Sequence, residues 1–258
     1  MKEPISASTP DFKALLTGRT AVVTGASSGL GRHFAVVLAG AGATVVAVAR
    51  RIALLDELAG EVEGVVACAA DVTTPSGRDL VVEAALAAGP EFSILINNAG
   101  GAGATPAIEL ELAAFETTLQ LNLVSTFALS QLAARHMPNG GSIVNIASMF
   151  GLVASAPITQ AAYCAAKAGV VGLTRQLGCE WAPRGIRVNA IAPGWFDSEL
   201  TSVFASSEKG AAFIRRETPM DRVGRMDELD GPLLLLASDL GSFITGQTIA
   251  VDGGWTAR

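Results

Sequence analysis

Tyrosine occurs once in this 258-residue chain, histidine twice, and only 16% of the residues are charged. Two histidines without a Cys/His cluster leave no ligand set on which to build a metal site. Cys68, Cys164 and Cys179 are an odd number with no paired motif, which suits a reduced, cytoplasmic protein rather than a disulfide framework. The opening "MKEPISASTP" has no apolar signal core, so secretion is not expected. Positive charge is scarce as well. A net charge of -6 and a sequence pI near 5.0 give no basic footprint, so no nucleic acid partner is expected. Charge is missing altogether from Met137 to Ala166, but Gly, Pro, Asn and Gln interrupt that stretch too often for a lipid-exposed helix. It reads as a buried strand, a loop and a helix start, with no membrane partner.

What the chain has instead is apolar bulk and glycine. Half of the residues are hydrophobic and 28 are glycine, a balance that fits a buried parallel sheet with tight loops. Short runs at 20–24, 43–49, 64–69, 92–97, 142–147, 186–192 and 247–252 read as seven strands. They lack strict alternation, as expected when both faces of a sheet are covered. The intervening stretches, such as "ELAAFETTLQLNLVSTFALSQLAARHM", are long enough for crossover helices. The pattern predicts a doubly wound α/β fold, with helices on both faces of a parallel seven-stranded sheet. No linker or repeat divides the chain, so 1–258 is expected to be a single domain, with 1–15 as a loose arm.

"TAVVTGASSGLG" sets Gly25, Gly29 and Gly31 between the first strand and a helix. Glycines at such a turn let the backbone approach a pyrophosphate, whose charge the helix N-terminus favours. No Gly-Lys-Ser/Thr follows, which argues against a nucleotide-hydrolysing P-loop.

"TGASSGLG", "NNAG" (97–100), "YCAAK" (163–167), Pro193–Gly194 and "GQTIAVDGGW" occur in this order. In that ordered set the chain resembles the short-chain dehydrogenase/reductase family, in its single-domain branch, over roughly residues 18 to 256. The resemblance implies a Rossmann-type fold that binds a nicotinamide dinucleotide. The cofactor residues it implies are Gly25, Ser27, Ser28, Gly29, Leu30 and Gly31 in the turn, Asp71 and Val72 after the third strand, and Asn98, Ala99 and Gly100 after the fourth. Tyr163, Lys167, Pro193 and Gly194 complete that set. It also implies a homotetramer, or a homodimer, assembled through the fourth and fifth helices and the C-terminal strand region. The apolar runs 168–173 and 232–238 are compatible with such interfaces, and core packing would explain them equally.

Residues four apart share a helix face, so Tyr163 and Lys167 can approach one cofactor. A tyrosine pKa near ~10 is too high for easy proton shuttling at neutral pH. Lowering it by ~2–3 units needs about 3–4 kcal/mol, which one ammonium about 4 Å away supplies at an effective dielectric near 20. The resemblance assigns Tyr163 as general acid/base, and Lys167 as the cation that eases its ionisation and binds the nicotinamide ribose. Ser148 ends the fifth strand, at the carboxyl edge where α/β sites sit, and can donate to a substrate oxygen. It precedes Tyr163 by fifteen residues, two more than is usual in the family; a loop insertion around "APITQ" would account for this and reshape the pocket. Ser155 is the rival, beyond the strand end. Asn122, inside the fourth helix, is implied to hold a water that relays protons toward Lys167.

A carboxylate at the end of the second strand would hold the ribose 2′-OH of NAD(H). That place is Ala49, followed by Arg50 and Arg51, and Arg50 can pair with a 2′-phosphate. NADP(H) is therefore expected ahead of NAD(H). The expected activity is hydride transfer between NADP(H) and a ketone or secondary alcohol as the small-molecule partner. A catalytically idle dinucleotide-binding regulator is the alternative. Residues 195–219 are expected to form a substrate lid, and an acyl-carrier-borne, sugar or hydrophobic ketone would each suit its mixed composition.

Overall fold

The computed structural model describes residues 12–89, 91–197 and 207–257. Seven parallel strands form one sheet: β1 (Thr20–Thr24), β2 (Thr44–Ala49), β3 (Val65–Ala69), β4 (Phe92–Asn97), β5 (Gly141–Ile146), β6 (Ile186–Pro193) and β7 (Thr248–Val251). Their order is β3-β2-β1-β4-β5-β6-β7. Every residue of β1 and β4 is buried, because helices cover both faces. Neighbouring residues still divide by the period of two: Val22 faces one core and Val23 the other.

On one face, Phe34 and Leu38 of α1 (Gly29–Gly40), Leu55 and Leu58 of α2 (Ile52–Glu61), and Leu233 and Leu236 of α8 (Asp230–Ala237) pack on Val23, Ile96 and Val144. On the other, Val81 and Val82 of α3 (Pro75–Ala88), Leu129 of α5 (Ser125–Arg135) and Leu177 of α6 (Ala161–Glu180) pack on Val22, Leu95 and Ile143. The strand order reverses direction between β1 and β4, which opens a crevice at their carboxyl ends. The residues expected to bind and react follow those ends.

The stretch expected as one fourth helix is interrupted. Helix α4 (Leu112–Leu119) and α5 are joined by a π turn, Gln120–Val124, whose only buried residue is Asn122. An inserted residue of this kind reorients side chains locally and often marks a working site. His33 joins α1 to α8 through Asp230, with Nε2 2.6 Å from Oδ1. Most of the expected arm lies outside the described residues; from Phe12 the chain turns, and Leu16 is fully buried. In the expected lid, 198–206 lie outside the described residues, and α7 (Glu208–Glu217) starts at Ser207, whose hydroxyl accepts from Gly210 N at 3.0 Å.

Candidate active site

The glycine turn after β1 is held from two sides. The Thr24 hydroxyl accepts from the N–H groups of Asn98 and Ala99, both at 2.9 Å, which ties the carboxyl ends of β1 and β4 together. Asn98 Nδ2 donates to the Thr24 carbonyl at 2.8 Å. A Cβ on Gly31 would lie 2.2 Å from the Gly25 carbonyl, and Gly25 itself sits at φ +68. Only glycine permits both the bend and the close approach of helix to turn.

A cleft of about 1060 Å³ runs over this turn. Gly25, Ser27, Ser28, Gly29 and Leu30 form its floor, Ala49 and Arg50 one wall, and Asp71, Val72, Asn98, Ala99 and Gly100 the rest. Gly31 packs beneath. Of the two arginines, it is Arg51 that folds back on the turn: its guanidinium donates to Ser27 Oγ at 3.1 and 3.0 Å and to Ser28 Oγ at 2.7 Å. Arg50 is exposed at the rim. The sequence showed both arginines but not which would turn inward. Asp71 Oδ1 accepts from Thr73 N at 2.9 Å and Thr73 Oγ1 at 2.7 Å, and these bonds hold its carboxyl below the usual range.

Asn97, the first residue of "NNAG", belongs to the scaffold. Its Nδ2 donates to Ser130 Oγ at 2.8 Å and Asn145 Oδ1 at 2.9 Å, and Asn145 Nδ2 donates to Thr174 Oγ1 at 3.0 Å. This buried chain pins β4 and β5 to α5 and α6.

A second pocket continues from the cleft past Leu30, Asn98 and Gly100. Asn122, Ser148, Tyr163, Lys167, Pro193 and Gly194 all line it. Ser148 Oγ accepts from Phe150 N at 3.2 Å, and its hydroxyl favours the ionised form of the Tyr163 phenol. Ser155 is committed elsewhere: its hydroxyl donates to the Ile158 carbonyl at 2.7 Å and closes the longer loop on itself. Lys167 Nζ donates to the Ile146 carbonyl at 2.7 Å and lies 5.6 Å from the centre of the Tyr163 ring. The position a Gly100 Cβ would take is 2.6 Å from Asn122 Oδ1 and 3.5 Å from Lys167 Nζ, so backbone, amide and ammonium meet there.

Burial governs the two ionisable groups. It pushes the Tyr163 phenol up to about 12, with the Ser148 hydroxyl opposing, and pushes the Lys167 ammonium down to about 8. The lowered tyrosine anticipated from the Tyr163–Lys167 spacing is not what prevails here, because the ammonium turns to Ile146 and both groups are stripped of water.

Gln160, three residues before Tyr163, also lines this pocket. So do Met149, Phe150, Trp195 and Phe196. Sequence reading passed over Gln160, although it stands one helical turn from the tyrosine in "QAAYCAAK".

A family model described as enoyl-(acyl carrier protein) reductase matches residues 25–256. The chain is 37% identical over 248 residues to 2-dehydro-3-deoxy-D-gluconate 5-dehydrogenase of Escherichia coli, covering 94% of this chain and 97% of that one. It is 36% identical over 254 residues to D-threitol dehydrogenase of Mycolicibacterium smegmatis, covering 96% of each. Among solved structures it is similar to a putative NAD(P)-dependent gluconate 5-dehydrogenase from Beutenbergia cavernae with bound NADP at low occupancy. There the TM-score is 0.87 and the identity 40%, over 95% of this chain and all of the other.

Proposed function

Because this chain belongs to the short-chain dehydrogenase/reductase family, we propose that it interconverts a secondary alcohol and a ketone with NADP(H), using Tyr163 to move the proton. The observation that carries this reading is the convergence of Ser148, Tyr163 and Lys167 on one pocket that opens into the glycine-floored cleft. The cleft suits a dinucleotide: the turn at Gly25 and Gly31 leaves room only for backbone, and Ala49, followed by two arginines, stands where an acid would select NAD(H). Bound NADP(H) would donate or accept the hydride.

Tyr163 takes the hydroxyl proton when an alcohol is oxidised and returns it to the carbonyl oxygen on reduction. Ser148, whose hydroxyl favours the phenolate, donates to the substrate oxygen as charge gathers on it. Lys167 has spent one N–H on Ile146. Its remaining two would hold the nicotinamide ribose and a water beside Asn122 that carries the proton onward. The ammonium also stabilises the phenolate once a positive nicotinamide adds to its field, against the burial that raises the phenol. Arg51, drawn to Ser27 and Ser28, and Arg50 at the rim hold the 2′-phosphate.

Incubation with NADP⁺ and a panel of secondary alcohols, followed by the nicotinamide absorbance, tests the reading. NADPH formation is expected. Tight cofactor binding with no turnover on any alcohol or ketone would leave the idle binder in its place.

A further inference from the structure

The walls of the substrate pocket are apolar except at the reacting end. Beyond Ser148 and Tyr163 stand Met149, Phe150, Trp195 and Phe196. The Phe150 ring meets Trp195 edge-on at 6.0 Å and Trp255 at 6.2 Å, and the two tryptophans lie 6.3 Å apart. Among the described residues, Lys167 is the only cationic side chain lining the pocket. Its Nζ is bonded to Ile146 and stands on the Gly100 side, toward the cleft.

Among the described residues, no other cation lines it. Lys209, Arg215 and Arg216 on α7 are exposed, and Arg216 pairs with Glu217 at 2.8 Å. Arg222 is held by Glu228 through two bonds at 2.7 and 2.6 Å. A carboxylate held among the aromatic rings, away from Lys167, would surrender its water and meet no cation among the described residues there.

Gln160 brings a further polar group to the pocket. Gln160 Oε1 is buried and has no hydrogen-bond partner among the described residues, and its amide lines the pocket one helical turn from Tyr163. A carboxamide oxygen accepts, and a buried one without a partner favours a ligand that supplies a donor.

We propose that the pocket takes a compact neutral hydroxyketone, and its vicinal diol or polyol counterpart, in preference to a sugar acid, and that Gln160 binds the hydroxyl next to the reacting carbon. The inference rests on the dehydrogenase reading and narrows it. The aromatic walls cover the C–H face of such a molecule, Ser148 and Tyr163 take the reacting oxygen, and Gln160 takes the neighbouring one. Gln160 is then a specificity residue, with no part in hydride or proton transfer.

The test uses the full chain with NADP⁺ and three substrate types: a four-carbon neutral polyol such as threitol, gluconate, and a simple secondary alcohol such as 2-butanol. The polyol should exceed gluconate in kcat/KM by about a hundredfold or more. In Gln160→Leu, the preference for polyol over 2-butanol should narrow by about tenfold or more. NADPH affinity, measured alongside, reports that the variant is folded. Gluconate turned over as well as the polyol, or a polyol preference that Gln160→Leu leaves unchanged, overturns the inference. Should none of the three be oxidised while NADPH binds, the dehydrogenase reading falls, and this one with it.

Discussion

Asn122 and Gly101 exchange two hydrogen bonds: Asn122 Nδ2 donates to the Gly101 carbonyl at 2.9 Å, and Asn122 Oδ1 accepts from the Gly101 N–H at 3.2 Å. Nδ2 also donates to the Thr118 carbonyl at 2.9 Å. The π turn aims this side chain inward, and through it the fourth helix clamps the loop that closes the cleft. Asn122→Leu keeps the volume and removes all three bonds. It should cost about 1–3 kcal/mol of stability in denaturant unfolding and weaken NADPH binding. Parental stability and affinity in this variant would show that the clamp is dispensable.

Arg51 holds its charge against Ser27 and Ser28, within the cleft that Arg50 rims. Arg51→Ala should lower NADPH affinity by about tenfold or more and NADH affinity much less, because only the former carries a 2′-phosphate. Arg50→Asp should shift the balance the same way by placing a like charge there. Titration of both reduced cofactors checks each variant. An equal loss for the two cofactors would reduce Arg51 to a support of the turn.

Lys167 carries a folding cost that depends on pH. Its pKa falls from 10.5 to about 8 on burial, so between those values the unfolded chain holds a proton that the folded chain has released. Stability therefore rises with pH across that window and is lost as pH falls through about 8, a difference of about 3 kcal/mol. Unfolding of the protein without nucleotide, compared with Lys167→Met, should show a stability difference that shifts toward the parent as pH rises from about 8. A difference independent of pH would contradict it.

The strands were legible because a sheet covered on both faces needs continuous apolar runs, and all seven runs became strands. The site was legible where residues are fixed by strand ends, as with Ser148 at the end of β5 and Asn98 after β4. It was not legible where side-chain direction decides. Arg50 and Arg51 are adjacent and both exposed, and only the path of the chain into α2 brings the second one onto Ser27 and Ser28. The π turn at Asn122 leaves no mark on hydrophobic periodicity. Gln160 lines one pocket with Met149 and Phe150, at the other end of the longer loop, which spacing alone does not reveal.

Assembly is one of these harder readings. Val170 and Val171 in the run 168–173, and Leu233 and Leu236 in 232–238, are buried in the cores. The exposed apolar side chains include Leu112, Val124 and Phe127 along α4–α5, and Phe243 beyond α8. If the protein is a homotetramer built on its fourth helix, sedimentation should give a tetramer and Phe127→Asp a smaller species. A parent that sediments only as a monomer at micromolar concentration would contradict that expectation.

The central claim is that Tyr163 carries the proton. Tyr163→Phe keeps the ring, its packing and its place beside Ser148, and removes only the ionisable oxygen. With the best substrate found, turnover should fall by at least ~10²-fold, while NADPH affinity and Tm stay close to the parent's. If the folded variant turns over that substrate as fast as the parent, the single tyrosine is a packing residue and another group moves the proton.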